Sequence, residues 1–441
     1  MRYNPPQMVQ PVVVPRAQHP ISRKDIDPDA LKVLYRLHQH NFAAYLVGGS
    51  VRDLLLGRRP KDFDIGTDAH PYQVKRLFRN CWIIGRRFRL AHVRFGTKNV
   101  EVATFRRLVP ADEAPPEIEP VREGVEPGDE ERDRLIHRDN TFGTPEEDAF
   151  RRDFTVNALF YDISTFSIID YVGGLQDIRA GVIRSIGNPR VRFQEDPVRM
   201  LRAVAMASRL DFMIDPPIFE AIASERHHIA LAAPARLVEE FHKILRAGAS
   251  ERAFRILHAH GLLEPLAPEL HEGAGDALWR SLAAVDAYRR RFDATPESLT
   301  NAILIGSLLV PLGFHLKHSS VAFTDEDARG REPRMSLGLL PLARRDIERL
   351  RQILGLQRRL RDGDLSPRAR RALMHRGSFQ EALTWLDLHG DAPETLEHWR
   401  GFIEATGPIE PDAQTPGAGE GAHPHRRRRR GGRRRGGPRP A

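Results

Sequence analysis

The residues that could do chemistry run from Leu46 to Asp64, in the stretch LVGGSVRDLLLGRRPKDFD. Asp62 and Asp64 are two positions apart, a spacing that on an extended strand turns both carboxylates to one face. Two acids so close repel each other unless cations neutralise them. A pair of divalent metal ions is the usual solution, one activating an attacking oxygen and the other holding a triphosphate. A dozen residues upstream, Gly48 and Gly49 stand where a strand should enter a helix. Backbone N–H groups there can hold phosphate oxygens, and a side chain would block the approach. Arg52, one turn further on, could clamp the same anion with its guanidinium. Gly-Gly alone is most often a tight turn, and an isolated Asp-x-Asp is mostly structural. Coupled, they point to metal-dependent chemistry on a nucleoside triphosphate.

A third carboxylate should come from a neighbouring strand. Glu101, in NVEVATF, and Asp153, in RRDFTVNA, are the two candidates. The strand of Glu101 is expected beside that of Asp62 and Asp64, whereas Asp153 follows two arginines. A second constellation is EDPVRMLR, residues 195–202. Asp196 as N-cap and Pro197 at the first helical position make an ordinary helix start. Asp196, Arg199 and Arg202 also recur every three residues, so they share one helix face. A carboxylate acceptor beside guanidinium donors can hydrogen-bond a nucleobase edge, and the two roles are compatible.

These residues need elements to position them. Apolar periodicity predicts a helix over 29–38, with Leu31, Leu34 and Tyr35 on one face, and further helices at 51–56 and 71–78. Strands are expected at 43–47, 62–65, 91–95 and 99–105, so residues 21–187 read as a compact α/β head. Residues 107–149 are rich in Pro, Glu and Asp and read as a flexible insertion in that head. From about 190 the pattern is helical. It divides into a neck over 188–248 and a body over 249–405, with helices expected at 198–209, 217–223, 235–247 and onward to 336–354, 367–375 and 378–389. Residues 1–20, Pro-rich and aperiodic, and 406–441 are expected to be disordered.

Composition narrows the class. The 441 residues carry a formal charge of +9, from 68 basic and 59 acidic side chains. Nine of those basic residues are arginines within 426–441, so residues 1–425 hold 59 of each sign. The positive charge therefore belongs to the tail, where sequence-independent RNA phosphate binding is the natural use. The single cysteine, Cys81, excludes an internal disulfide, and the Cys/His pattern gives no structural zinc site. No apolar run approaches the ~20 residues of a membrane span. The Pro-rich start does not read as a secretory signal. The expectation is a soluble protein of the cytoplasm with no membrane partner.

Taken together, GGSVRD, KDFD, RRDFTVNA and EDPVRMLR occur in the order seen in the class II nucleotidyltransferases. That family contains bacterial poly(A) polymerases and the CCA-adding tRNA enzymes, and the chain resembles it over residues 22 to about 245. The resemblance implies an α+β protein with a polymerase-β-like head followed by an all-helical neck and body. It implies that Asp62 and Asp64 hold the two Mg²⁺ ions and that Gly49 and Arg52 contact the triphosphate, beside Gly48 of the same turn. Arg152 and Asp153 would lie near the incoming ribose and the active centre, which favours Asp153 as the third carboxylate. Asp196, Arg199 and Arg202 would read the base. Ala205 departs from the many relatives that carry arginine there.

The two branches of the family differ in product. The segment IIGRRFRLAHV, residues 83–93, resembles the poly(A) polymerase branch and places Arg86, Arg87 and Arg89 near phosphates. The tail, with Arg426, Arg427, Arg428, Arg429 and Arg430, suits an enzyme acting on many RNA 3′ ends. The expected activity is template-independent addition of AMP from ATP to RNA 3′ ends, with release of pyrophosphate. A CCA-adding enzyme is the alternative within the family. A non-catalytic RNA-binding protein would have no reason to keep both Asp62 and Asp64. A phosphohydrolase would not explain the base-reading helix. The histidines, His92 and His137 among them, read as ordinary surface or core residues, and Trp279, Trp385 and Trp399 as core.

Overall fold

A computed structural model describes residues 10–85, 89–107, 142–314 and 335–406. The head is built on one eight-stranded sheet, in the order β1-β8-β7-β2-β3-β6-β5-β4. These strands are β1 (Val12–Val14), β2 (Ala44–Val47), β3 (Asp64–Thr67), β4 (Cys81–Ile84), β5 (Leu90–Phe95), β6 (Lys98–Thr104), β7 (Leu159–Asp162) and β8 (Ser167–Asp170). The β3/β6 pair is parallel, and the other neighbours in this sheet are antiparallel.

Strand alternation gives the sheet two different faces. Leu46, Ile65, Ala91, Val93, Val100 and Val102 point inward, where they pack under α1 (Pro28–Gln39) and α3 (Pro71–Leu77). Asp27 caps α1 by accepting from the Asp29 N–H at 2.8 Å, with Pro28 as the first helical residue. The buried face of α1 is Ala30, Val33, Leu34 and Leu37, so Tyr35, expected on it, stays exposed. On the other side of the sheet, Val47 and Phe160 join Phe105, Ala149, Ala158 and Ile186 in a small second core. Ala149 belongs to α4 (Pro145–Arg151), which covers the β2/β7 half. The half running from β3 to β4 carries Asp64, Glu101, Arg94 and Trp82 and is exposed.

Four expectations change. Val12–Val14 is a strand on the edge of β8, not part of a disordered leader, and three residues among prolines give too short a pattern to recognise. CWII forms β4, which four consecutive apolar residues conceal because they do not alternate. Order returns at residue 142 rather than at 153. There Thr144 and Glu147 close a capping box, a signal present in TPEE. The helix expected over 336–354 is a hairpin, Ser336–Leu337 with Leu340–Pro341, followed by a helix over Arg344–Leu360, because Gly338 takes φ 55° in the turn. Most of the insertion (108–141), all but the first residue of the C-terminal tail (407–441) and His137 lie outside the described residues.

Helix α5 (Gly174–Ala180) lies near the end of the head, and the neck holds α6 (Pro189–Glu195), α7 (Val198–Leu210), α8 (Pro216–Glu225) and α9 (Pro234–Arg246). The body helices pack around Asn301–Leu309, whose residues 302–309 are all buried. Trp279, Trp385 and Trp399 are in this core, and the Trp399 indole N–H donates to the Leu360 carbonyl at 2.9 Å.

Gly66 offers a test of head packing. A Cβ there would meet Phe105 Cε1 at 2.6 Å and Val47 Cγ1 at 2.9 Å. Gly66→Ala should destabilise the head by about 1–3 kcal/mol. Gly401→Ala, in an exposed helix with open space around the position, should instead be neutral or slightly stabilising. Urea unfolding midpoints of the two variants check both outcomes.

Candidate active site

Sheet register creates the acidic centre. Val47 pairs with Asp64 across β2/β3, and Ile65 pairs with Val102 across the parallel β3/β6 step. The residues just before that parallel pair, Asp64 and Glu101, are therefore neighbours on the outward face. Asp62 precedes the strand rather than lying in it, and its side chain is 73% exposed with Lys61 Nζ 3.9 Å away. Asp64 is open to solvent on one side and crowded by protein on the others. Burial first, then the charges of Glu101 and Asp62, push its carboxyl up to about 6, with Arg152 opposing. Glu101 Oε1 also lies 3.6 Å from His92 Nε2, which brings into the site a histidine the sequence gave no reason to place there.

Asp153 has a different environment. Its Oδ1 accepts from the Phe154 N–H at 2.9 Å and from Asn157 Nδ2 at 3.4 Å, and its Oδ2 lies 2.7 Å from Arg202 Nη2. It stands at the junction of head and neck, while Glu101 stands beside Asp64.

The glycine turn is shaped by an arginine. Gly48 has φ +71°, and a Cβ on it would lie 3.0 Å from Arg152 Nη1. Any other residue would be strained and would crowd that guanidinium. Arg152 donates through Nε and Nη2 to Asp148 Oδ2 at 3.1 and 2.9 Å, and through Nη1 to the Asn157 carbonyl at 3.1 Å. Burial would raise the Asp148 carboxyl, but Arg152 and Arg151 outweigh it and hold it below the usual range. Arg52, in α2 (Gly49–Leu55), is only 3% exposed. Its Nε donates to Asp53 Oδ1 at 2.8 Å, and its Nη1 bonds the Asn157 side chain and approaches Met206 of α7. Burial lowers its pKa. Arg52 thus knits the turn to Asn157 and the neck.

The neck residues each bind a different element. Asp196 accepts a two-pronged pair from Arg236 at 2.9 and 2.8 Å, and its Oδ1 also accepts from the Val198 N–H at 3.3 Å. Helix α7 starts at Val198, one residue later than a proline in the first turn would place it. Arg199 Nη1 donates to Glu195 Oε2 and to the Arg192 carbonyl, both at 2.9 Å. Arg202 holds Asp153. Ala205 is half-buried against the helical core. Arg192 Nη2 donates to the carbonyls of Arg151 and Arg152, both at 2.6 Å, tying α6 to the head. Arg89 Nη1 lies 3.3 Å from the Tyr72 hydroxyl. Arg86, Arg87 and Arg426 to Arg430 lie outside the described residues.

Sequence reasoning missed Asp148, Asn157, Arg192 and Arg236. Asn157 sits inside RRDFTVNA and was within reach. Arg236 meets Asp196 across 40 residues, and no local pattern announces such a pair.

Three family descriptions match the chain: "Poly A polymerase head domain" at residues 44–184, "Probable RNA and SrmB- binding site of polymerase A" at 211–273 and "Polymerase A arginine-rich C-terminus" at 336–435. Poly(A) polymerase I of Salmonella typhi is 39% identical over 436 residues, covering 95% of this chain and 91% of that protein. The chain belongs to the poly(A) polymerase family. Poly(A) polymerase I of Escherichia coli O6:H1 is 49% identical over 261 residues, 59% of this chain and 54% of that one. The Bacillus stearothermophilus CCA-adding enzyme in complex with CTP shares the fold with a TM-score of 0.60, at 27% identity, over 86% of this chain and 83% of that one. As a poly(A) polymerase family member the protein is a nucleotidyltransferase. The class II resemblance and the α+β architecture of sheet head and helical body both hold. Among the described residues, no helix is long and apolar enough to cross a membrane.

The raised Asp64 carboxyl gives a signed pH prediction for the protein free of divalent ions. Its ordinary value is 3.8 and its folded value about 6, so over that window the folded chain keeps a proton that the unfolded chain has lost. This contribution to stability is present below the window and is lost as pH rises through about 6. Glu101→Gln removes one repelling charge. Asp64 should then titrate below about 6 in a carboxyl-carbon NMR titration, and the fall in urea midpoint across the window should flatten.

Proposed function

We propose that this protein transfers AMP from ATP to the 3′-hydroxyl of RNA, without a template and with release of pyrophosphate. The observation that carries this reading is the crowding of Asp64 by Glu101 and Asp62 beside the Gly48 turn, in a chain of the poly(A) polymerase family. These hard oxygen donors fit Mg²⁺. Among the described residues, no three His, Cys, Asp or Glu side chains are gathered tightly enough to hold an ion by themselves. Mg²⁺ commonly takes one or two carboxylates and completes its shell with water and substrate phosphates. Asp62 and Asp64 would hold two such ions, which when bound acidify the attacking hydroxyl and orient the triphosphate.

The chain's own residues do the rest. The Gly48–Gly49 turn accepts the triphosphate, with Arg52 setting its shape from behind and adding positive charge. Arg152 and Asp153 border the incoming ribose. Asp196, fixed by Arg236, keeps lone pairs for the exocyclic amine of adenine. Arg199 donates to the adjacent ring nitrogen, and Arg202 links this helix to Asp153. Uracil and guanine invert that donor–acceptor pattern, and each mispaired buried group costs about 1–3 kcal/mol. The single cysteine suits the cytoplasm.

A CCA-adding activity is the second reading, favoured by the shared fold with an enzyme bound to CTP. Cytosine offers the same amine and ring-nitrogen pattern as adenine. Purified protein supplied with each nucleotide, on a generic RNA and on tRNA lacking its terminal nucleotides, separates the two. Poly(A) on both RNAs supports the first reading, and C and A added to tRNA alone would replace it.

Asp62→Asn and Asp64→Asn should each reduce AMP transfer to background while leaving the circular dichroism spectrum unchanged. Glu101→Ala and Asp153→Ala, assayed across a Mg²⁺ titration, identify the third carboxylate. Glu101→Ala is expected to shift the metal requirement, since Glu101 is the residue that adjoins Asp64, and Asp153→Ala to lower the rate at every Mg²⁺ concentration.

The nine arginines of 426–441, outside the described residues, are proposed to bind RNA by releasing counterions, each phosphate contact adding roughly 0.7 to the salt slope. Deleting residues 421–441 should flatten the dependence of RNA affinity on salt and shorten the product made per encounter. Equal slopes for full-length and shortened protein would remove the tail from RNA binding.

A further inference from the structure

Trp279, Trp385 and Trp399 are buried in the helical body, whereas Trp82 is 52% exposed on the edge strand of the head. The register shows where it points. Trp82 pairs with His92 across β4/β5, and His92 pairs with Glu101 across β5/β6. The next neighbour of Glu101 across β6/β3 is Asp64. Trp82, His92, Glu101 and Asp64 therefore form one row across the outward face, with adjacent strands about 4.8 Å apart and the whole row spanning roughly 14 Å. Ile84, 50% exposed, lies on the same face beside Trp82, and the exposed Arg94 lies beside His92. The covered half of this face is closed by Phe105, Phe160 and α4, so among the described residues the row occupies the uncovered half.

An edge strand is normally blunted with charge, because exposed apolar edges invite unwanted pairing. Here the edge presents a tryptophan and an isoleucine. We propose that this strip seats the 3′ segment of the RNA strand, with Trp82 as a stacking platform for a base a few nucleotides back from the reactive end. The proposal rests on the polymerase reading and adds where the primer lies. Single-stranded RNA is the occupant because the strip runs without a break to the carboxylates, where the 3′-hydroxyl must arrive. Aromatic stacking tolerates any base, as an enzyme acting on many RNA ends requires. Arg94 supplies positive charge along the strip for the phosphates. Glu101 and Asp64 sit at the reactive end, where the proposed metal ions would neutralise them.

The test uses the full chain at raised salt, where electrostatic binding by the tail fades. Short oligoadenylate is titrated without ATP while tryptophan fluorescence is followed. Quenching in the wild type that disappears in Trp82→Phe supports the platform, and quenching that persists overturns it. In steady-state assays Trp82→Ala should raise the KM for oligoadenylate about 5- to 150-fold, with kcat falling far less. Trp82→Phe should recover most of that loss. An unchanged RNA KM in Trp82→Ala overturns the proposal. So does a concentration-dependent dimer that Trp82→Ala abolishes without affecting RNA, since the strip would then belong to a second copy of the chain. If the wild type incorporates no nucleotide into any RNA, the polymerase reading fails, while the fluorescence titration still decides the platform.

Discussion

Carboxylates that repel one another cannot hold themselves together, and the structure of the head answers to that constraint. Burial, and then the charges of Glu101 and Asp62, push the Asp64 carboxyl up to about 6. Arg152 offsets this only in part. What forces the acids together is the opposite face, where Ile65, Val100 and Val102 are buried under α1 and α3 and fix the register of β3 against β6. A slip of one residue would bury the acids and expose the valines, an exchange of apolar burial for buried charge that neither face could tolerate. The core thus stores the repulsion that metal binding would relieve.

A second layer of constraint joins the head to the neck. Arg52, Arg152, Arg192 and Arg202 converge near Asp148, Asp153, Asn157 and Glu195. Arg52 and Arg192 are buried, and Arg52, Arg192 and Arg202 each have an acceptor from a distant part of the chain. Removing one partner from such a buried pair typically costs about 3–5 kcal/mol, because the other charge stays desolvated. The network therefore does more to fix orientation than to add stability. It sets α7, with Asp196 and Arg199, at a defined position relative to Asp64, and Arg236 fixes the Asp196 carboxylate from the far side.

The sheet is asymmetric for the same reason that it is useful. Its inward face and the β2/β7 half of its outward face are filled with apolar side chains, which supply the hydrophobic burial. The β3-to-β4 half contributes little burial and is left to carboxylates, a histidine, an arginine and an exposed tryptophan. Stability and chemistry are thus assigned to different sides of the same strands.

The sequence by itself determined the family and the succession of a sheet head and a helical body, and it singled out the glycine turn, the acidic pair and the 196–202 segment proposed to read the base. Each of these is local: a spacing of two or three residues, or a periodicity within one element, survives in a linear string. The short strands Val12–Val14 and Cys81–Ile84 were not legible, because three valines among prolines and an unbroken apolar quartet carry no alternation. Nor were Arg236 opposite Asp196, Arg192 on the carbonyls of Arg151 and Arg152, or Trp82 in line with Asp64. Glu101 lay between the two cases, since its strand could be expected near β3 while the family resemblance favoured Asp153. Tertiary structure gave them different surroundings, with the parallel register seating Glu101 beside Asp64 and Arg202 pairing with Asp153. Pairing across strands and between domains depends on which backbone groups and apolar faces meet, and that is decided only when the chain closes on itself.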